Sequence, residues 1–235
     1  MPLTKNEISA AYDEFIRIKK NSSRFSSYDY CYNYFHSFSD KRDLASAENL
    51  EKSCLHLGFY LASWGMLRAS GFLSKESLTF YKGIVEWLAK ECPKEAWLID
   101  VHNYNRNDDL LIHIYNDLCR FIPEENRKIT LATKMMLGIM GNTPAFDSYF
   151  VNTFKNHYGE RSKFHSFNKT ALEALYEFYN ENNQLIDQLC GECYTAQFPT
   201  GAPTNFHYTK AKIIDMIGFG YSYKKNGKRA VPGSQ

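Results

Sequence analysis

The stretch ITLATKMMLGIMGNTPAFDSYFVNTF, Ile129 to Phe154, decides the fold. Ile129, Ala132, Met136 and Ile139 or Met140 recur at helical spacing, so the first half carries an apolar helical face. Gly141 stands where a helix takes a left-handed residue to stop. Thr143 then fits as an N-cap, with Pro144 at the first helical position, where a missing amide hydrogen costs nothing. Phe146, Tyr149, Phe150 and Phe154 carry a second helix onward. The pattern is two apolar helices pinched together at Gly141-Asn142-Thr143-Pro144.

Working outward, Asp43 to Ala69 reads as one long helix with Leu50, Cys54, Leu57, Leu61 and Trp64 along its seam. Gly58, Ala62, Gly65 and Ala69 fall on one face at intervals of four, three and four. A glycine inside a helix costs about 1 kcal/mol relative to alanine, and close approach of another helix is the natural compensation. The expected partner is the hairpin of residues 133–150. Elsewhere, Thr4-Lys5-Asn6-Glu7 is a capping box, and Asn168 and Thr209 are placed to cap two later helices. The polar run His102–Asp109 (HNYNRNDD) reads as a turn, with Asn107 or Asp108 capping the next helix, and Gln197–Asn205 (QFPTGAPTN) reads as a loop. No segment keeps up strand alternation. The expected fold is all-α, a single domain over residues 1–223 with about eight to ten helices, its central long helix packed against a helical hairpin. Residues 224–235 are expected to form a basic, disordered tail carrying Lys224, Lys225, Lys228 and Arg229.

With 28 basic against 26 acidic residues the net charge is +2, which offers no global attraction for nucleic acid or an anionic membrane. The N-terminus lacks the apolar core of a signal peptide and no 18-residue uncharged run exists, so a cytoplasmic protein with reduced thiols is expected. Among six cysteines only Cys190 and Cys193 have a suggestive spacing; a zinc site needs four ligands, and His207 is the nearest later one. No metal and no cofactor are expected.

Phosphate-cradling glycine loops, HExxH and GxSxG are absent. What stands out is polarity inside apolar segments. Lys134 lies between Ile129 and Leu137, and Asp147 between Phe146 and Tyr149 at a helix start, where free amides favour a carboxylate. Arg68 comes four residues after Trp64, so on a helix its guanidinium can lie over the indole. Trp64, Arg68, Lys134 and Asp147 are therefore the expected ligand-binding residues of a central polar site.

Two resemblances add to this picture. Leu137 to Ala145, LGIMGNTPA, resembles the helix-hairpin-helix DNA-binding motif through Leu137, Gly141 and Ala145. Ile139 stands where that motif has its first glycine, and Asp147 comes too soon after Gly141 to match the catalytic aspartate of the glycosylases that carry it. The resemblance implies Gly141, Asn142 and Thr143 as nucleic-acid contacts. The segments Leu57–Leu73, Thr133–Phe150 and Tyr208–Tyr221 are similar to a group of bacterial all-helical proteins, a likeness that implies no activity. The expected function is an interaction or small-ligand-binding module, with a protein or small molecule as partner and no membrane. The alternatives are a DNA-binding protein using residues 137–145, or an enzyme of unrecognised class.

Overall fold

The computed structural model describes residues 2–68, 71–124, 128–158 and 164–227. Among them are nine α-helices: α1 (Lys5–Asn21), α2 (Ser27–His36), α3 (Leu50–Ser63), α4 (Phe80–Lys90), α5 (Tyr104–Cys119), α6 (Lys128–Met140), α7 (Ser148–Tyr158), α8 (Lys169–Glu192) and α9 (Lys210–Gly227). The all-α, single-domain class is borne out. A helix that is apolar on nearly every side belongs inside, and two stretches, Leu131 to Met140 of α6 and Ala211 to Gly220 of α9, are buried without a break, their few charged side chains included. α2, α3 and α5 surround α6, while α1 and α7 clasp α9.

The long helix expected over residues 43–69 is shorter. A 3-10 turn occupies Lys41–Ala45, and α3 begins only at Leu50. Its end is set by Gly65, at φ +76°. The Met66 amide reaches back to the Leu61 carbonyl at 2.9 Å and the Gly65 amide to Ala62 at 3.0 Å, the double closure of a Schellman turn. Gly65 is thus a stop signal rather than part of a small-residue face, and Ala69 lies outside the described residues. α3 does pack on α6, but the small residue at that contact is Gly138 of α6, which receives the ring of Tyr60. Gly58 faces Tyr81 of α4 instead. The backbone-to-backbone approach is at Gly220, seated against Ala11 of α1.

The hairpin also differs from expectation. α7 starts at Ser148, and its cap is Asp147, whose Oδ1 accepts from the amides of Tyr149 (3.0 Å) and Phe150 (3.1 Å). Thr143 is not the cap. α7 packs on α9 rather than folding back on α6. The turn between them is core: Asn142 and Thr143 are fully buried, Tyr104 Oη donates to the Asn142 carbonyl at 2.6 Å, and Thr209 Oγ1 donates to the Gly141 carbonyl at 2.6 Å. A hairpin that lays amides on a DNA phosphate needs an exposed tip. Gly141, Asn142 and Thr143 have none, which removes the nucleic-acid contacts that the resemblance implied.

Smaller corrections have similar causes. Residues 102–109 are mostly helical, because Asp100 and Asn103 form the capping box and α5 begins at Tyr104. The expected loop Gln197–Asn205 joins the strands of an antiparallel ribbon, β1 (Tyr194–Ala196) with β2 (Pro203–His207), and only its last three residues belong to β2. Thr209 caps α9 as expected, accepting from the Lys212 amide at 3.1 Å, and Asp100 adds bonds from the amides of Lys210 and Ala211, both 2.8 Å. α9 runs through the exposed Lys224 and Lys225; Lys228 and Arg229 lie outside the described residues.

One partly buried histidine gives the fold a pH dependence. His36 stacks on Tyr32 with ring centroids 4.0 Å apart, and burial, assisted by the Lys41 charge, pushes its pKa down to about 4. The unfolded chain takes up this proton near pH 6.5 while the folded chain refuses it. Stability is therefore fully present above pH 6.5 and is lost as pH falls toward 4, by about 3 kcal/mol for a shift of this size. Urea unfolding at stepped pH is expected to show that decline, and His36→Gln is expected to flatten it; an equal decline in the variant would assign the acid limb to other groups.

Candidate functional site

The site is assembled by a loop that doubles back along α6. Thr130 Oγ1 donates to the Phe146 carbonyl at 3.0 Å, and Thr133 Oγ1 accepts from the Phe146 amide at 2.9 Å. Those two hydroxyls, one turn apart on the helix, pin Phe146 on both sides of its backbone. The next residue, Asp147, then lands beside Lys134, with Nζ and Oδ2 3.1 Å apart. Both carboxylate oxygens are engaged, one by the ammonium and the other by the α7 amides. Lys134 is only 4% exposed, so this is a largely desolvated pair in which each charge depends on the other.

Trp64 closes the inner wall. As the last residue before the Gly65 turn, it packs parallel to Phe15 (centroids 6.4 Å, 10° between planes) and edge-on to Phe25 (5.1 Å). The cations over its ring are Lys134 at 5.2 Å and Lys212 at 4.7 Å. Arg68 is not among them. Because α3 stops at Ser63, residue 68 is not one helical turn above residue 64. The chain instead carries Arg68 to an exposed position at the cavity rim, where its guanidinium lies over Gly65.

Around these residues is a solvent-open cavity of about 530 Å³, within the size range of small-molecule sites. Trp64, Arg68, Lys134 and Asp147 all line it, so the structure brings the four expected residues to one place. Arg24 joins them from the 3-10 turn Ser23–Ser26, and Tyr149, Phe219 and Tyr223 form an aromatic wall from α7 and α9. Among the described residues neither Arg24 nor Arg68 has a carboxylate partner, and Asp147 is the one acidic side chain on the lining.

Behind Trp64 lies a second pair that sequence reasoning missed. Lys212 Nζ meets Asp215 Oδ2 at 2.7 Å, both side chains nearly inaccessible, and Asp215 Oδ1 accepts the Ala145 amide at 3.1 Å. Lys212 faces the rings of Tyr28 (4.5 Å), Trp64 (4.7 Å) and Phe15 (5.2 Å). Burial lowers its pKa against the opposing pull of Asp215. A signal was present: a lysine and an aspartate three apart inside KIIDMIG, the same polar-in-apolar pattern that singled out Lys134. A third buried carboxylate, Asp29, accepts from Lys19 Nζ (2.6 Å) and Tyr208 Oη (2.7 Å). Its partners are distant in sequence, so no local pattern announces it.

The Cys190–Cys193 spacing has a structural use. Cys193 terminates α8 and hydrogen-bonds Tyr12, while Cys190 Sγ donates to the Tyr208 carbonyl at 2.8 Å. Burial pushes the Cys190 thiol up to about 11, away from a reactive thiolate. Among the described residues no group of three or more His, Cys, Asp or Glu side chains is placed to hold a metal ion. Nor is any described helix long and apolar enough to cross a membrane. No family model, no curated protein and no solved structure matches this chain.

Proposed function

We propose that this chain is a small-ligand-binding module whose ligand is an organic anion held in the cavity between α3, α6, α7 and α9. The observation that carries the reading is Lys134: a buried ammonium on the lining of a solvent-open cavity, bonded to one carboxylate and left with N–H donors to spare. Arg68 and Arg24 supply further positive charge at the rim, Asp147 fixes the lysine's position, and Trp64 provides its aromatic backing. The module is cytosolic in this reading, in keeping with six cysteines that are all free thiols. The interaction alternative rests on a different surface, an apolar groove of about 200 Å³ beside the exposed Leu55, Phe59 and Phe198.

Thermal-shift titration with organic anions and their uncharged amides tests this. A true ligand at a hundredfold excess over its Kd stabilises the fold by about 2.7 kcal/mol, several degrees in Tm for a chain of this size. Lys134→Met keeps the apolar stem and removes the charge. It is expected to fold, by circular dichroism, and to lose the anion-dependent shift. An equal shift in the variant, or one from the amides alone, would sink the proposal.

A further inference from the structure

We infer that the ligand class is a planar aromatic ring bearing a phosphate monoester, of the size of a nucleoside monophosphate; this rests on the anion-binding reading above. The charge on the cavity lining is the first ground. Three cations, Arg24, Arg68 and Lys134, face one carboxylate among the described residues. Asp147 already neutralises Lys134 at 3.1 Å, so the unbalanced charge is two guanidiniums. A carboxylate ligand leaves one of them without a counter-charge. A phosphate monoester, with a charge of about −1.5 to −2 at neutral pH, matches both. The guanidinium fork also suits phosphate oxygens in bidentate geometry.

The polarity of the unmet groups points the same way. Lys134 has donors beyond the one given to Asp147, and these call for acceptor atoms, which a phosphate supplies in excess and a cationic or donor-rich ligand does not. The carboxylate of Asp147 offers no competing recognition, because its oxygens are occupied by Lys134 and by the amides of Tyr149 and Phe150.

The ring has a seat of its own. The Trp64 ring is already held by Lys134, Lys212 and Phe15, so it serves as backing rather than as a stacking platform. The rings that reach the cavity are Tyr149, half-buried, and Tyr223; Phe219, packed edge-on to Phe15, Phe25 and Trp64, backs them. Tyr149 and Phe219 have centroids 4.6 Å apart, Phe219 and Tyr223 stack at 5.8 Å with 16° between planes, and Tyr223 remains 37% exposed at the rim. Aromatic side chains of this kind accept any planar base or aryl ring through its π face.

Isothermal titration of the full chain at low ionic strength decides the matter, with adenosine 5′-monophosphate, phenyl phosphate, adenosine, inorganic phosphate and benzoate as probes. The two ring phosphates are expected to bind, with adenosine and inorganic phosphate each weaker by about tenfold or more. Arg68→Ala and Arg24→Ala, at exposed positions that leave the core intact, are each expected to weaken adenosine 5′-monophosphate by about tenfold without altering adenosine. Tyr223→Ala is expected to weaken both. Benzoate binding as tightly as phenyl phosphate overturns the phosphate assignment and leaves the anion-binding cavity standing. If no probe and no other organic anion binds, both readings fall. Binding of adenosine 5′-monophosphate that is indifferent to all three variants places it elsewhere and also overturns the inference.

Discussion

Replacing Asp215 by alanine is expected to remove about 3–5 kcal/mol of stability, the range for breaking a buried ion pair from one side. Two groups lose their partner at once. The Lys212 ammonium, 2.7 Å from Asp215 and enclosed by Phe15, Tyr28 and Trp64, keeps only the aromatic faces, and the Ala145 amide loses its acceptor. Cation–π contact adds about 2 kcal/mol when desolvated and cannot replace a carboxylate. The double variant Lys212→Met/Asp215→Ala is expected to recover much of the loss. A methionine fills the same aromatic enclosure without a charge, and removing both partners of a buried pair is often neutral. Urea unfolding of the four members of this cycle measures the coupling. A loss below about 1 kcal/mol in the Asp215→Ala protein would mean that water reaches Lys212 and that the pair is not a core element.

Gly220→Ala and Gly191→Ala are expected to change stability in opposite directions. At 220 a Cβ would overlap the Ala11 carbonyl, with the Ala11 carbonyl carbon at 3.0 Å and the Phe15 amide nitrogen at 3.3 Å. Those are backbone atoms of α1, so relief requires the two helices to part, and the cost falls at or above the usual overpacking range of about 1–3 kcal/mol. At 191, in the last turn of α8, a Cβ meets nothing within 4 Å. There alanine's helix propensity acts alone and is worth up to about 1 kcal/mol of added stability. Melting curves resolve the difference at about 2–4 °C per kcal/mol. A neutral Gly220→Ala would show that α1 and α9 can separate without penalty, contrary to the packing described.

The candidate site divides along the same line as the fold. Lys134 and Asp147 were legible because a charge inside an apolar segment is conspicuous, and the dipole argument for Asp147 at a helix start matches its bonds to the α7 amides. Thr130 and Thr133, which bring that aspartate back to the lysine, look like ordinary helical threonines in one dimension. The helical spacing that pairs Trp64 with Arg68 in the sequence does not exist in the structure, because α3 ends at Ser63. They meet at the cavity because Gly65 ends the helix and turns the chain.

The hairpin shows how far local signals reach. Its glycine stop and its apolar helices are local properties, set by backbone sterics and side-chain periodicity, and the sequence determined them by itself: an all-α chain with a break at Gly141. Whether that break faces solvent or core is not a local property. It depends on what Tyr104, Thr209 and Ala96 bring from far along the chain to satisfy the turn's polar groups. Only the tertiary structure decided that the turn is buried, that α9 shares the centre with α6, and that the two arginines at the cavity rim lack carboxylate partners among the described residues. Burial and charge balance are sums over distant residues, whereas periodicity and capping are read from neighbours.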